Sequence, residues 1–192
     1  AIVTGANNPQ GIGAATAIAF ARQGAKLALV YKKILETFDK NIWEPCCGMN
    51  HITNVLRDNN YNVRTSDIVD RVNDGTVEII DFLNCNEKYN GDIITNPPYK
   101  LATEFVYKSM ETITNGHKVA MFLKIQFLEG KKRYDMFQKY PPEQLLVFST
   151  RVNCAHGGDF EKESEIGGAV AYAWYIWKKG YTGKPEIDWI MA

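Results

Sequence analysis

Short apolar runs recur along the chain from residue 41 onward, and several of them end at Pro, Asn or Asp. Runs of this length that contain β-branched and aromatic residues are typical of buried strands. They predict seven strands, near residues 41–45, 62–66, 77–81, 92–96, 118–124, 145–149 and 169–177.

Between these strands, apolar residues recur at helical spacing near 50–59, 101–113 and 130–139. The second helix carries an apolar stripe that we expect to pack in the core. The stripe consists of Ala102, Phe105, Val106 and Met110. Because strands alternate with helices, the pattern predicts an α/β fold with a mostly parallel sheet and helices on both faces.

The composition agrees with one compact α/β domain, since 45% of the 192 residues are apolar and the net charge is zero. The sequence has neither an apolar run long enough for a membrane span nor a signal peptide, so we expect a cytoplasmic protein. The four Cys residues show no paired spacing and are expected to be free thiols. A metal site could be formed by Cys85, Cys154 and His156, but we do not favour it, because these loop residues lack paired spacing.

The first candidate for chemistry is Asn96-Pro97-Pro98-Tyr99, which follows the apolar run 92–95. Pro97 keeps Asn96 out of the α region and each proline fixes its own φ, so the Asn side chain projects from a stiff backbone. An amide held in this way beside an aromatic ring can grip a planar amine. The alternative is a simple turn, because Asn-Pro commonly initiates turns.

A second candidate lies upstream, where a strand, the turn Glu44-Pro45-Cys46-Cys47-Gly48 and a helix near His51 follow one another. This order is typical of a nucleoside-binding corner, in which Gly lets the ligand approach the backbone. Asp67 ends the next strand about twenty residues later, where an acid can receive ribose hydroxyls. Asp81 and Phe82 end the third strand and suit an adenine amino group and ring face.

Taken together, these motifs resemble those of S-adenosylmethionine-dependent DNA adenine N6-methyltransferases of the compact kind carried by phages and mobile elements. The stretches 123–131 and 169–174 also resemble that subgroup. The resemblance implies a Rossmann-like class I methyltransferase domain over residues 33–192, with an antiparallel hairpin across 145–177. It also implies that the protein is located in the cytoplasm of a bacterial or phage-infected cell.

The resemblance further implies S-adenosylmethionine as the cofactor and a flipped adenine of DNA as the substrate, with no metal. The cofactor would be held by these residues: Glu44, Pro45, Cys46, Gly48, Asp67, Asp81, Phe82 and Asn96. The catalytic residues would be Asn96, Pro97, Pro98 and Tyr99. In the family the Asn oxygen and the first proline's carbonyl accept hydrogen bonds from the amino group, and the aromatic ring stacks on the base.

Basic residues beyond the catalytic strand could contact DNA phosphates, with Tyr134 or Phe127 beside a base. They are Lys124, Lys131, Lys132, Arg133 and Arg151. The alternative is a solvated surface, which is the usual meaning of a charge run. The target could also be another planar nitrogen, in an RNA adenine or a protein glutamine.

Residues 1–32 resemble the start of a short-chain dehydrogenase/reductase, with Gly5 followed by Gly11-Ile12-Gly13, and this resemblance alone implies NAD(P). The only Tyr-x-x-x-Lys is Tyr175 to Lys179, in a run that favours a strand rather than the helix such enzymes use. Thirty-two residues are too few for an independent domain. Because the chain also begins at Ala, we interpret it as a chimera, with an NAD(P)-binding dehydrogenase fragment as the alternative.

Overall fold

A computed structural model describes residues 37–149 and 170–190 of the chain. The regular elements of these residues, in chain order, are β1 Asn41–Glu44, α1 His51–Asp58, β2 Asn62–Asp67, β3 Glu78–Ile79, β4 Asp92–Thr95, α2 Ala102–Thr112, β5 Lys118–Lys124, α3 Tyr134–Lys139, β6 Gln144–Phe148, β7 Tyr172–Lys178 and β8 Glu186–Ile190. Short 3-10 helices occupy Phe82–Asn84, Tyr99–Leu101, Ile125–Leu128 and Lys131–Arg133.

The strands form a mixed sheet in the order β3-β2-β1-β4-β5-β7-β6-β8. The pairings from β3 across to β5 are all parallel, with Glu44 opposite Thr65 and Thr95 opposite Met121. The strands β6 and β7 form the antiparallel C-terminal hairpin. Since parallel strands point the same way, the carboxyl ends of β3, β2, β1, β4 and β5 lie along one edge of the sheet.

The predicted α/β fold is confirmed, and all seven predicted strands are present. The third is shorter than expected, with only Glu78 and Ile79 in the ladder. An eighth strand, β8, was not predicted; Ile187 and Trp189 are 55% and 65% exposed, whereas Ile190 is buried. The three predicted helices are α1, α2 and α3, and the whole apolar stripe of α2 is buried as expected.

An aromatic cluster centred on Trp43 lies in the core beneath the carboxyl edge. The fully buried Trp43 ring packs edge-on against Phe82, with centroids 5.2 Å apart, and against Tyr89 at 5.5 Å. Phe82 in turn stacks on Phe105 of α2 at 5.5 Å. Each buried aromatic ring contributes about 1.5–3 kcal/mol of transfer free energy, so the cluster fixes β1 and α2 relative to each other.

The described residues divide into two compact units. One comprises 38–146 and 173–188, and the candidate site lies entirely within it. The other includes 147–149, 170–172 and 189–190. Within the ranges described here, no helix has the length and apolarity needed to cross a membrane.

Candidate functional site

The site residues predicted from the sequence lie along the carboxyl edge of the parallel strands. Glu44 is the last residue of β1 and Asp67 the last of β2, Asp81 follows β3 by two residues, and Asn96 directly follows β4. In open α/β sheets, ligands bind in the crevice outside this edge. The fold therefore brings the predicted cofactor residues and the predicted catalytic tetrapeptide to the same side of the sheet.

The turn after β1 is fastened to the end of β2 by two backbone donors. The N–H of Cys47 donates to the carbonyl of Ser66 over 3.1 Å, and the N–H of Gly48 donates to Asp67 Oδ2 over 3.0 Å. Gly48 has φ of +53°, which glycine adopts without strain, and no heavy atom lies within 4 Å of where its Cβ would be. The turn thus presents open space in front of its backbone, as a ligand-binding corner requires.

The Asp67 carboxylate is buried and already accepts three hydrogen bonds. Besides Gly48, its donors are the N–H of Val69 at 3.3 Å and the guanidinium of Arg71 at 2.8 Å. An ionised carboxylate offers about four acceptor positions, so about one remains. Asp67 can still accept one hydroxyl hydrogen from a ligand while holding the turn.

Glu44 is a second buried acid, at the root of the same turn. Its side chain is only 1% exposed and accepts a short hydrogen bond from the Thr53 hydroxyl of α1. Burial raises the pKa of Glu44 from 4.5 to about 8, against the opposing effect of the Thr53 hydrogen bond. At neutral pH this carboxyl group is therefore mainly protonated, and the site carries less negative charge than its sequence indicates.

The two cysteines of the turn are free thiols. Burial raises the pKa of both Cys46 and Cys47 to about 12. Since the thiolate is the reactive form, neither group is a nucleophile at neutral pH. Together with the buried Pro45 they make the floor of the turn apolar.

Asp81 and Phe82 are adjacent but occupy different environments. The Asp81 side chain is exposed and caps the 3-10 helix after β3, accepting from the N–H of Leu83 at 3.1 Å and from the amide of Asn84 at 2.7 Å. Phe82 is 2% exposed within the Trp43 cluster. The exposed Asp81 can therefore contact a ligand at the carboxyl edge of the sheet. Contact of Phe82 with an adenine ring stays a prediction.

Asn96 is exposed, and its side chain makes no hydrogen bond with any residue in 37–149 or 170–190. The next residue, Pro97, is buried, and the carbonyl of Pro98 accepts the N–H of Leu101 at 2.9 Å, which starts the 3-10 helix leading into α2. The tetrapeptide Asn96-Pro97-Pro98-Tyr99 thus forms a turn, which was the alternative to a binding role in the sequence analysis. It is also a rigid support that presents an unused amide to solvent.

Tyr99 lies beside a cation from the neighbouring strand. The ammonium of Lys124, the last residue of β5, lies 5.3 Å from the centroid of the Tyr99 ring. A cation at this distance from an aromatic ring is attracted by its quadrupole. The end of β5 therefore belongs to the same site as the tetrapeptide.

Two predicted DNA contacts are engaged within the protein instead. The guanidinium of Arg133 donates to the carbonyls of Phe127 and Glu129, at 2.8 and 2.9 Å. The Phe127 ring is buried and packs edge-on against Phe137 and Tyr175, at 5.8 and 5.6 Å. The internal roles of Arg133 and Phe127 depend on tertiary contacts that no local sequence pattern reveals. A further predicted DNA contact, Arg151, lies outside the described residues.

The Tyr175 to Lys179 pair does not form a dehydrogenase site. Tyr175 belongs to β7, as predicted, and its buried hydroxyl donates to the carbonyls of Lys124 and Ile125 at 3.1 and 3.2 Å. The Lys179 ammonium donates to the carbonyl of Ile113 at 2.6 Å. Both groups are committed to structure, and burial raises the pKa of Tyr175 further from neutrality.

Within the described ranges, no group of three His, Cys, Asp or Glu residues is placed to hold a metal ion. Of the metal site considered from the sequence, Cys85 is a free cysteine. Its other two members, Cys154 and His156, lie outside the described residues.

Comparison with solved structures identifies the fold. The chain is similar to a protein described as a class I S-adenosylmethionine-dependent methyltransferase from Listeria monocytogenes, with TM-score 0.55 and 14% identity over 88% of this chain and 64% of that one. It is similar to an S-adenosylmethionine-dependent O-methyltransferase from Thermotoga maritima, with TM-score 0.56 and 12% identity over 83% and 67%. A third similar structure is the M protein of the type I restriction enzyme EcoKI, with TM-score 0.50 and 15% identity over 77% and 43%.

These likenesses establish the Rossmann-like fold of class I methyltransferases, since identities this low show the fold alone. The chain spans 64% of the Listeria protein and 43% of the EcoKI M protein. No protein-family model and no curated protein matches the sequence.

Proposed function

We propose that this chain transfers the methyl group of S-adenosylmethionine to the N6 amino group of adenine in DNA. The observation that carries the proposal is the exposed, unused amide of Asn96 on a proline-stiffened backbone, at the same sheet edge as the Gly48 turn. The named activities of the similar structures support methyl transfer from this cofactor. The EcoKI M protein, a DNA methylase, supports DNA as the substrate.

The residues at the carboxyl edge fit an adenosyl cofactor. The open space before Gly48 admits a ligand close to the backbone, and Asp67 retains about one acceptor position for a ribose hydroxyl. Asn50 adds a buried amide oxygen that has no hydrogen-bond partner within 37–149 and 170–190. Such an orphaned acceptor beside the turn suits a cofactor that carries an ammonium, two ribose hydroxyls and an adenine amino group. Asp81, exposed at the end of β3, is our candidate for the adenine amino group.

The substrate defines what the catalytic residues must do. Adenine N6 is a poor nucleophile because its lone pair is delocalised into the ring. When bound, the cofactor supplies an electrophilic methyl group on a sulfonium. In our proposal the Asn96 side-chain oxygen and the Pro97 carbonyl accept the two N6 hydrogens, which draws the lone pair onto nitrogen and orients it.

Tyr99 would hold the base by stacking after it leaves the duplex, since N6 is not accessible for transfer inside a base pair. The proton that N6 loses passes to water, to which the exposed Asn96 position gives access. In this proposal the Asn96 oxygen and the Pro97 carbonyl are the hydrogen-bond acceptors and Tyr99 is the stacking ring.

The decisive experiment offers radiolabelled S-adenosylmethionine to the chain together with duplex DNA, RNA or a glutamine-containing protein. We expect label in DNA only, recovered as N6-methyladenine after digestion, and incorporation about 10²–10³-fold slower with the Asn96→Ala variant. Label in RNA adenine or in a glutamine amide would replace the proposed substrate by that alternative. If no acceptor is labelled while the cofactor binds, the proposed reaction is wrong.

A further inference from the structure

The connection between β5 and α3, residues 124–134, is built around an internal cation; we refer to it as the basic loop. Besides its bonds to the Phe127 and Glu129 carbonyls, the Arg133 guanidinium donates to the carbonyl of Gln126 at 3.3 Å. It also lies over the Phe127 ring, 5.0 Å from the centroid. The Nε and Nη2 groups of Arg133 therefore close the loop from inside.

Gly130 is required by this closure. Its φ is +109°, and a Cβ there would lie 2.9 Å from Nη2 of Arg133. A side chain at this position would both strain the backbone and push the guanidinium off its carbonyls. The basic loop is consequently a preformed shape, which a partner can bind without first ordering it.

The two lysines that precede Arg133 have no such internal role. Lys131 and Lys132 are exposed, and neither makes an ion pair or side-chain hydrogen bond with any residue of 37–149 or 170–190. Glu129 and Asp135 are close in sequence, yet neither pairs with them. A lysine pair alone usually marks a solvated surface, so a binding surface must be supported by further features of the loop.

Apolar surface and location provide those observations. Leu128 and Tyr134 flank the lysines and are 46% and 64% exposed. The basic loop also begins at Lys124, whose ammonium lies over Tyr99, and the Lys124 carbonyl is held by the Tyr175 hydroxyl at 3.1 Å. Three lysines are thus joined by one rigid loop to the tetrapeptide that we propose holds the target base.

We propose that the basic loop is the surface that contacts the backbone phosphates of duplex DNA, through Lys124, Lys131 and Lys132. Arg133 shapes the loop and contacts no phosphate. The choice of duplex DNA as the polymer rests on the proposed function. Phosphate contacts set the position of a protein on DNA, so a basic surface beside Tyr99 would place the target nucleotide. Because the chain has zero net charge, its attraction for DNA must come from such a local surface.

The test measures binding of a fluorescent DNA duplex by anisotropy at several salt concentrations. The logarithm of the association constant falls linearly with the logarithm of salt concentration. The double variant Lys131→Gln/Lys132→Gln should make this negative slope shallower by about 2 and should weaken binding about 10–100-fold near 0.1 M salt. The matched control is Lys184→Gln, which removes another exposed lysine, from the β7–β8 connection, and should change neither quantity. An unchanged slope in the double variant, an equal loss in the control, or no binding of the parent protein would overturn the proposal.

Arg133→Lys separates shaping from contact. It keeps the charge but loses the fork, so amide hydrogen exchange in 125–133 should accelerate while the salt slope stays within about 0.5 of the parent's. A fall of the slope by about 1 would make Arg133 a phosphate contact and overturn that part of the proposal. Equal dependence of duplex RNA binding on Lys131 and Lys132 would overturn the choice of DNA.

All binding measurements are repeated on the Asn96→Ala variant, so that DNA binding is measured separately from methyl transfer. If DNA binding depends on the lysines but the parent protein methylates no DNA, the basic loop stands and the proposed reaction fails. If the parent methylates DNA with no dependence on the lysines, the reaction stands and the proposed surface fails.

Discussion

The N–H of Gly48 donates to Asp67 Oδ2 over 3.0 Å, which joins the turn after β1 to the acid that ends β2. One carboxylate therefore shapes the predicted cofactor turn and is itself a predicted cofactor ligand. Sequence spacing predicted that both residues face the same ligand, but it did not predict that they bond each other. Variants of Asp67 should consequently affect both stability and affinity.

The first prediction concerns Asp67. Asp67→Ala should weaken binding of S-adenosylmethionine by about 1–3 kcal/mol, because donors of the turn and of the ligand lose their acceptor. Isothermal titration calorimetry measures this, with NADP as a second ligand that should give no binding heat. The control is Arg71→Ala: the Arg71 side chain is 49% exposed, so its ion pair with Asp67 is worth little and affinity should hold. Unchanged affinity in Asp67→Ala would remove Asp67 from the site.

The second prediction follows from Glu44, whose pKa is raised from 4.5 to about 8 by burial. Between these pH values the folded state holds a proton that the unfolded state releases, so the contribution of Glu44 to stability is largest below pH 4.5 and falls as pH rises toward about 8. The slope from this one group is at most about 1.4 kcal/mol per pH unit. Urea unfolding at a series of pH values between these limits measures it.

Glu44→Gln is the matched variant for that measurement. The amide keeps an acceptor for Thr53 but cannot ionise, so its stability should vary less with pH and exceed the parent's above about pH 8. If the parent and the variant follow parallel pH curves, Glu44 is not the titrating group.

The regular elements could be predicted because their apolar positions carry the signal directly. The strand β5 was predicted at its observed bounds, since five of its seven residues form an uninterrupted buried run. The strand β8 shows the limit of the same rule. Its alternation of apolar and polar residues would place Ile187 and Trp189 inside, but both are mainly exposed.

The candidate site was predictable only in outline. Strand-end positions predicted which side chains share the carboxyl edge, because parallel strands align their ends. Hydrogen bonds between residues distant in sequence were not predictable, such as the hydroxyl of Tyr175 on the Lys124 carbonyl. Burial is likewise set by distant contacts: it encloses the Phe127 ring, which was considered as a base contact, and it raises the pKa of Glu44.

The third prediction concerns Tyr99. Tyr99→Ala should weaken capture of the target base by about 1–3 kcal/mol, the usual loss when base–aromatic stacking is removed. Tyr99→Phe keeps the ring beside Lys124 and should retain most of the binding. Affinity for a DNA duplex whose target adenine faces a mismatch measures this, because that base is easily flipped. Equal losses in both variants would show that the hydroxyl, and not the ring, holds the base.

The last prediction is catalytic. Asn96→Ala should lower the rate of methyl transfer about 10²–10³-fold, because an acceptor that acts mainly in the transition state contributes to turnover rather than to binding. Asn96 is also among the predicted cofactor residues, but cofactor affinity should stay near the parent's, because the hydrogen bond that we propose for its side chain acts mainly in the transition state. Asn96→Asp keeps an acceptor oxygen in the same place and should retain more activity than Asn96→Ala. Single-turnover kinetics with labelled cofactor separates transfer from product release. If Asn96→Ala methylates DNA at nearly the parent rate, Asn96-Pro97 is only the turn that opens α2.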